Sequence, residues 1–463
     1  MNAVVDPGSF RDPGGRIFID AGRIFRSVTS SSAPAYESAR DSGLFGALAA
    51  RGLLVDTQER DPALLAPVAS QPAYLLEHPR IPFISYPYEW CFSLLKKAAL
   101  HHLDVQLAAL DQGFTLSDAT AYNVQFVGTR PIFIDHLSLC PYQEGEIWRA
   151  HRQFGMQFLN PLIMWAKLGI APNSWFRGSL EGIAPEDLSR LLSWKDSLSF
   201  TVLSHVTGQA VLQRRANSGR ISTGRNGREP FLSRQAFKAT LLGLRNFIEK
   251  LSVPKQQTVW AEYAQDNSYQ QDEASRKHAF VRTMALSAKP RTLFDLGCNS
   301  GDYSQTCIEA GAEYVVGFDF DFGALEAAVA RSKAKNLPFL PLWLDATNPS
   351  PSQGWAQGER KGLSERADAD AVVALAFVHH LAIARNVPLD MVIAWIMDMA
   401  PVGVIEFPPK SDPMVQQLLE NRPDIFPAYT EENFLAEVRR RGRIVESEHL
   451  TPGGRLLVHY DRR

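Results

Sequence analysis

In the C-terminal part of this 463-residue chain, three aspartates and one glycine turn are the residues best spaced to do chemistry. Asp295-Leu-Gly297-Cys-Asn299-Ser-Gly301-Asp302 follows the apolar Thr292-Leu293-Phe294 and reads as a strand running into a tight turn that opens a helix. Glycine has no Cβ and adopts positive φ, so a ligand can lie against bare backbone at Gly297 and Gly301. Asn299 stands between them, where a third glycine is frequent, and asparagine tolerates left-handed backbone better than most residues. Asp319 ends the next apolar run, Tyr314-Val-Val-Gly-Phe, near the spacing of roughly 20 residues expected of a ribose-binding acid. Its carboxylate can accept both ribose hydroxyls, and Phe320 beside it offers a face to a base. Asp345 ends Phe339-Leu-Pro-Leu-Trp-Leu344 and can accept from an adenine amino group. Asp295 can orient the amides of the turn or meet a ligand ammonium through water. Any one of these aspartates can equally be a cap or a surface residue. Three in register with one glycine turn point to a nucleoside ligand.

Such residues need a sheet to gather them. Apolar runs predict strands at 292–296, 314–319, 339–344, 370–376 and 402–407, with helices between them. This alternation predicts a parallel sheet covered by helices, with ligands outside the carboxyl ends of the strands. Arg443-Ile-Val-Glu-Ser-Glu-His-Leu450 and Arg455-Leu-Leu-Val-His-Tyr460 flank Thr-Pro-Gly-Gly and predict a terminal antiparallel hairpin at the sheet edge.

Leu293-Phe-Asp-Leu-Gly-Cys-Asn-Ser-Gly301, Gly317-Phe-Asp319, Leu344-Asp345-Ala and Ala371-Val-Val-Ala-Leu-Ala-Phe-Val-His-His-Leu381 resemble the motifs of class I methyltransferases over residues 258–463. The resemblance implies S-adenosyl-L-methionine as cofactor. An NAD domain would prefer a full Gly-x-Gly-x-x-Gly and leaves Asp345 without a role, and a P-loop ending in Gly-Lys-Ser/Thr is absent. Trp260-Ala-Glu-Tyr263 through Tyr269 to Lys277 resembles the helical cap over the cofactor in such enzymes, which would set Tyr269 and Lys277 against the methionyl carboxylate. Methyl transfer requires alignment of nucleophile, methyl and sulfur, and a hydroxyl or amine acceptor benefits from a base. His379 and His380, after the fourth strand, and Glu406, ending Val402-Gly-Val-Ile-Glu, are the candidates. The histidines can instead pack the following helix. The loop Glu406-Phe-Pro-Pro-Lys-Ser-Asp412 is placed to line an acceptor pocket, and no His/Asp/Glu cluster suggests a bound metal.

The N-terminal half carries a second signal. Asp118-Ala-Thr-Ala-Tyr-Asn123, then Pro131-Ile-Phe-Ile-Asp135, resembles the catalytic loop and metal-binding aspartate of kinase-like phosphotransferases, with an amphipathic helix over 88–110 before it. By that resemblance Asp118 would be the base, with Asn123 and Asp135 as magnesium ligands. Leu116-Ser117 stand where the usual histidine precedes the aspartate, no glycine-rich phosphate loop is visible, and Arg26 and Glu37 are the nearest stand-ins for the lysine–glutamate pair. An N-terminal lobe would also have to fit in under 90 residues. An Asx-type turn between two strands explains the same residues. Elsewhere a small hairpin is expected around Asp20-Ala-Gly22, an extended segment over 79–87, and helices over 34–52, 144–170, 185–212 and 234–251. The arginines of 214–228 read as a solvated loop, and Val253-Pro254-Lys-Gln-Gln as the domain junction.

Charged residues at 21%, hydrophobic ones at 45% and a net charge of -2 describe a globular chain with no electrostatic reason to bind nucleic acid or an anionic membrane. Four scattered cysteines build no disulfide framework or zinc site. No signal peptide or bilayer-spanning run is present, so the cytoplasm is the expected location. Gly22-Arg-Ile-Phe-Arg26, Phe83-Ile-Ser-Tyr-Pro-Tyr-Glu-Trp90, Leu116-Ser-Asp-Ala-Thr-Ala-Tyr-Asn123 and the methyltransferase motifs together resemble the rhizobial nodulation proteins of the NoeA-like family. The expected fold is α/β. A Rossmann-like methyltransferase sheet at 256–463 follows an α+β domain at 1–255 that is either degenerate kinase-like or not, and that would recognise the acceptor or a partner. The expected function is methyl transfer to an oxygen or nitrogen of a small-molecule or glycan-type acceptor. The alternatives are a nucleotide-binding pseudo-kinase adaptor and a bifunctional phosphotransferase–methyltransferase.

Overall fold

The computed structural model describes residues 3–65, 72–196, 199–209, 231–254, 268–420 and 422–463. The arginine-bearing loop 214–228, the aromatic segment 260–263 and the junction residues 255–257 lie outside these, as does the side chain of Tyr269. The chain forms two compact units. Unit 1 comprises Met1–Phe126, Arg130–Gln256 and Ser352–Arg360; unit 2 comprises Val127–Thr129, Gln257–Pro351 and Lys361–Arg463.

Unit 1 begins with five strands, β1 (Val4–Val5), β2 (Ile17–Asp20), β3 (Arg23–Val28), β4 (Gln58–Arg60) and β5 (Tyr74–His78). They form one antiparallel sheet in the order β1-β2-β3-β5-β4. The hairpin expected around Asp20 is β2–β3, turned by Ala21 and Gly22 at φ of 47° and 81°, and it is the middle of this sheet rather than an isolated unit. Five strands therefore fit before residue 79, and the connection from β1 to β2 carries Gly8, Gly14 and Gly15. The helical stretch over 34–52 is two helices, Ala33–Asp41 and Leu44–Ala50, broken at Gly43 with φ 78°.

The long helix spans Phe92–Asp111, starting later than its periodicity predicts because Pro87–Glu89 forms a 3-10 turn and Trp90 is extended. After it come β6 (Phe114–Leu116), β7 (Val124–Val127), β8 (Arg130–Phe133) and β9 (Leu139–Pro141), with β6 paired to β9 and β7 to β8. The expected helix over 144–170 is His151–Phe154 and Asn160–Leu168 joined by a π turn at Gly155–Leu159. That over 185–212 is Pro185–Leu191, then Phe200–Val202 with a second π turn at Leu203–Thr207. Arg234–Lys250 buries Phe237, Leu241, Leu244 and Ile248 and packs on the long helix, where Arg245 meets Asp104 at 2.7 Å.

Unit 2 holds β10 (Thr292–Leu296), β11 (Tyr314–Asp319), β12 (Phe339–Trp343), β13 (Ala371–Ala374), β14 (Val402–Phe407), β15 (Arg443–His449) and β16 (Leu456–Asp461). The sheet order is β12-β11-β10-β13-β14-β16-β15; the first five strands run parallel and β16 pairs antiparallel with both neighbours. These strands read as unbroken apolar runs because helices cover both faces of a parallel sheet. The arrangement is the one the class I methyltransferase resemblance implies. Register sets Asp295 beside Gly317 and Asp319 beside Trp343, so the acidic strand ends collect at one edge. Among the described residues no helix is long and apolar enough to cross a membrane, and no group of three or more His, Cys, Asp or Glu side chains could hold a metal ion.

Candidate cofactor and acceptor site

The turn after β10 has Gly297, Asn299 and Gly301 at φ of 76°, 46° and 83°. A Cβ on Gly301 would run into the Phe339 ring, so glycine is required there by space as well as by backbone. The amides of Gly297 and Cys298 both donate to the Phe318 carbonyl, at 2.8 and 3.0 Å, which holds the turn against the end of β11. Asp319 completes the tie: its Oδ2 accepts from the Asn299 amide and its Oδ1 from the Asp321 amide, each at 2.8 Å. Burial pushes the Asp319 carboxyl up, against the pull of these backbone donors. Asp295 is buried at 3% exposure and accepts the Ser304 hydroxyl at 2.6 Å, locking the strand to the helix Asp302–Glu309. Burial raises its carboxyl to about 7, the Ser304 hydrogen bond notwithstanding.

At the next strand ends, Phe320 is 56% exposed, and its carbonyl accepts from the Trp343 indole at 3.0 Å. Asp345 gives Oδ1 to both donors of Thr347, the amide at 3.0 Å and the hydroxyl at 2.7 Å.

A second polar group sits over the ends of β13 and β14. Glu406 is fully buried, and its Oε1 meets Lys277 Nζ at 2.8 Å and Arg455 at 3.1 Å. Its Oε2 accepts from the Ala376 amide at 2.8 Å, where the chain leaves β13 at a φ of 47°. Arg455 also bonds Asp412 through two nitrogens, at 2.7 and 3.2 Å. Burial alone would raise the Glu406 carboxyl, but the Lys277 and Arg455 charges outweigh it and hold it below the ordinary value. His379 is 1% exposed with no partner for either ring nitrogen, and its ring lies 4.1 Å from that of His380. Burial, with His380 and Arg455 near, lowers the His379 pKa to about 3 and that of His380 below its usual value, so both are neutral near pH 7.

Hydrogen bonds and register thus bring together Asp295, Gly297, Asn299, Gly301 and Asp319, with Phe320 and Asp345 on the neighbouring strand ends. Lys277 is engaged with Glu406, which was expected as a base and here holds two cations. Tyr269 lies in the helix Ser268–Ala288. Ser304 and Arg455 were missed. The N-cap position of Asp412 before Pro413 is a local signal, but Arg455 pairs with residues 43 and 49 positions away and has none.

The chain is 47% identical over 458 residues to the nodulation protein NoeA of Rhizobium meliloti (strain 1021), covering 98% of this chain and 95% of that one. No family model matches the chain. Among solved structures it is similar to the N-methyltransferase NodS from Bradyrhizobium japonicum WM9 in complex with S-adenosyl-L-homocysteine, at 13% identity and a TM-score of 0.32 over 44% of this chain and 93% of that one. It is also similar to magnesium protoporphyrin IX methyltransferase from Synechocystis PCC 6803 with bound SAM, at 14% identity and a TM-score of 0.31 over 44% and 88%.

Proposed function

The chain belongs to the NoeA family of nodulation proteins, and on that premise we propose that unit 2 is an S-adenosylmethionine-dependent methyltransferase acting on an oxygen or nitrogen nucleophile. The observation that carries the reading is the Asp319 carboxylate tied to the Asn299 amide at 2.8 Å across a turn of three positive-φ residues. The residues present fit the cofactor. A carboxylate held by two backbone donors keeps lone pairs for ribose hydroxyls, and the bare backbone of Gly297 suits the methionyl part. Asp345 Oδ2 accepts from the adenine amino group, since Thr347 occupies only Oδ1. Phe320 is exposed enough to cover the adenine face. Lys277 and Tyr269, both on the helix Ser268–Ala288, are assigned to the methionyl carboxylate. When bound, S-adenosylmethionine supplies a methyl group carried on a sulfonium.

The chain's own part is alignment and proton handling. His379 is 1% exposed and its pKa is lowered to about 3, so it takes up a proton poorly near pH 7; His380, only partly buried, is the better candidate base for an acceptor O–H or N–H, and His379 is the second. Glu406 is the weakest of the three, because its charge is already spent on Lys277 and Arg455. We assign it to holding the walls of the acceptor pocket. The acceptor is a small molecule or glycan-type compound, and unit 1 shapes or recruits it. The test uses methyl-labelled S-adenosylmethionine, the full chain and fractions of a host lysate. A product heavier by one methyl is expected, formed about 10²-fold more slowly by His380→Ala if that imidazole is the base. No labelled product in any fraction, from a chain that binds the cofactor, would count against the transferase reading.

A further inference from the structure

The ion pairs over the ends of β13 and β14 leave no charge over. Glu406 meets Lys277 at 2.8 Å and Arg455 at 3.1 Å, and Asp412 takes the same guanidinium at 2.7 Å. Two cations thus face two carboxylates, and the second oxygen of Glu406 is occupied by the Ala376 amide. The acidic residues near the glycine turn are committed as well. Asp302 holds Arg331 at 2.6 Å and the Ser300 hydroxyl at 2.6 Å. Asp295 is enclosed on Ser304, Asp319 is tied to two backbone amides, and Asp345 is bonded to Thr347.

This pairing restricts what a methyl acceptor can be. An ammonium brought beside a sulfonium needs a carboxylate of its own, and an anionic acceptor needs a cation of its own. An ion buried without its partner is costly in either case. The imidazoles at the same place behave accordingly: burial, ahead of the nearby Arg455 charge, keeps His379 and His380 neutral near pH 7. A hydroxyl carries no charge and needs only hydrogen-bond partners.

A partner of that kind stands in the first turn of the helix Asp302–Glu309. Tyr303 is held by its ring, which stacks on His278 at 4.5 Å with 30° between the planes. His278 is itself fixed. The Thr306 hydroxyl gives its one hydrogen to the Asp302 carbonyl at 3.2 Å, so it accepts from the His278 Nδ1–H at 2.7 Å. Among the described residues the Tyr303 hydroxyl has no hydrogen-bond partner. It feels the charges of Glu406, Asp302, Asp295 and Arg455, which belong to both the glycine turn and the Glu406 network. Burial and the Glu406 charge push the phenol up, so it keeps its proton as a donor at neutral pH.

We propose that the acceptor atom is the oxygen of a neutral hydroxyl, and that Tyr303 donates its O–H to that oxygen. This rests on the methyltransferase reading of unit 2 and names the class of its acceptor. A hydroxyl oxygen has two lone pairs, so one accepts from Tyr303 while the other attacks the methyl carbon. The C–O bond forms as the C–S bond breaks, and sulfur keeps the electron pair as a neutral thioether. The hydroxyl proton passes to His380. The product is a methyl ether.

The test uses the full chain, S-adenosylmethionine with an isotope-labelled methyl, and the fraction of host lysate that yields labelled product. Carbon NMR of that product distinguishes a methoxy carbon from an N-, S- or C-methyl carbon, and treatment with base distinguishes an ether from a methyl ester. An ether that survives base is expected. Tyr303→Phe keeps the ring and its stack on His278, so it should raise KM for the same fraction about tenfold while calorimetry finds the wild-type affinity for S-adenosylmethionine. A methyl on nitrogen, sulfur or carbon, or an ester that base releases as methanol, overturns the inference and leaves the methyltransferase reading standing. An unchanged KM in Tyr303→Phe overturns the place given to Tyr303. A wild type that binds the cofactor and labels no fraction sinks the methyltransferase reading, and this inference with it.

Discussion

Asp295 shows how a single side chain can be kept for position rather than charge. It is fully enclosed at the foot of the glycine turn, and its partner is a hydroxyl, not a cation. The folded carboxyl therefore holds its proton up to about pH 7, whereas its ordinary value is 3.8. Between those values the folded state binds more protons than the unfolded one, so this group makes stability fall as pH rises from about 4 to about 7. Asparagine keeps an oxygen for Ser304 and removes the titration. Melting temperatures of wild type and Asp295→Asn at pH 5 and pH 8 check the sign: the wild type should lose more on raising the pH, and a parallel fall in both proteins would contradict it. The same enclosure ties Asp295, through Ser304, to the helix Asp302–Glu309. The sequence reading of direct orientation was close in place but silent on Ser304, whose role depends on the helix lying back over the strand.

Glu406 belongs to the scale of elements. It joins the helix Ser268–Ala288 through Lys277, the bend before β16 through Arg455, and the exit of β13 through the Ala376 amide. Three pieces of chain are thus held at one carboxylate. Because Lys277 is 11% exposed and Glu406 not at all, Glu406→Gln should cost about 3–5 kcal/mol by leaving buried cations without their anion. Urea unfolding of the full chain measures it; a loss under about 1 kcal/mol would mean that the cations find other partners. Strands 292–296, 314–319 and 402–407 were legible to the residue, because runs buried on both faces end sharply at Asp, Gly or Pro. The helix over 185–212 was not, since it stops at Leu191 before extended Leu192 and resumes only at Phe200, and that over 144–170 begins only at His151 and carries a π turn at 155–159. Contacts such as Arg455–Glu406, or Arg11–Glu359 at 2.7 Å within unit 1, join residues far apart in sequence, and no local pattern announces them.

At the scale of the whole molecule the chain is two compact units. The return of Ser352–Arg360 to unit 1 breaks the simple division at residue 256 that composition suggests. What ties the account together is the claim that unit 2 grips a nucleoside at the ends of β10, β11 and β12. Calorimetry of the full chain with S-adenosylmethionine tests it most directly, using wild type, Asp319→Ala and Asp345→Ala. One site per wild-type chain is expected, weakened at least tenfold (about 1.4 kcal/mol) by Asp319→Ala and by about 1–3 kcal/mol by Asp345→Ala. A folded wild type that takes up no cofactor, or an Asp319→Ala chain that binds it undiminished, would contradict the account.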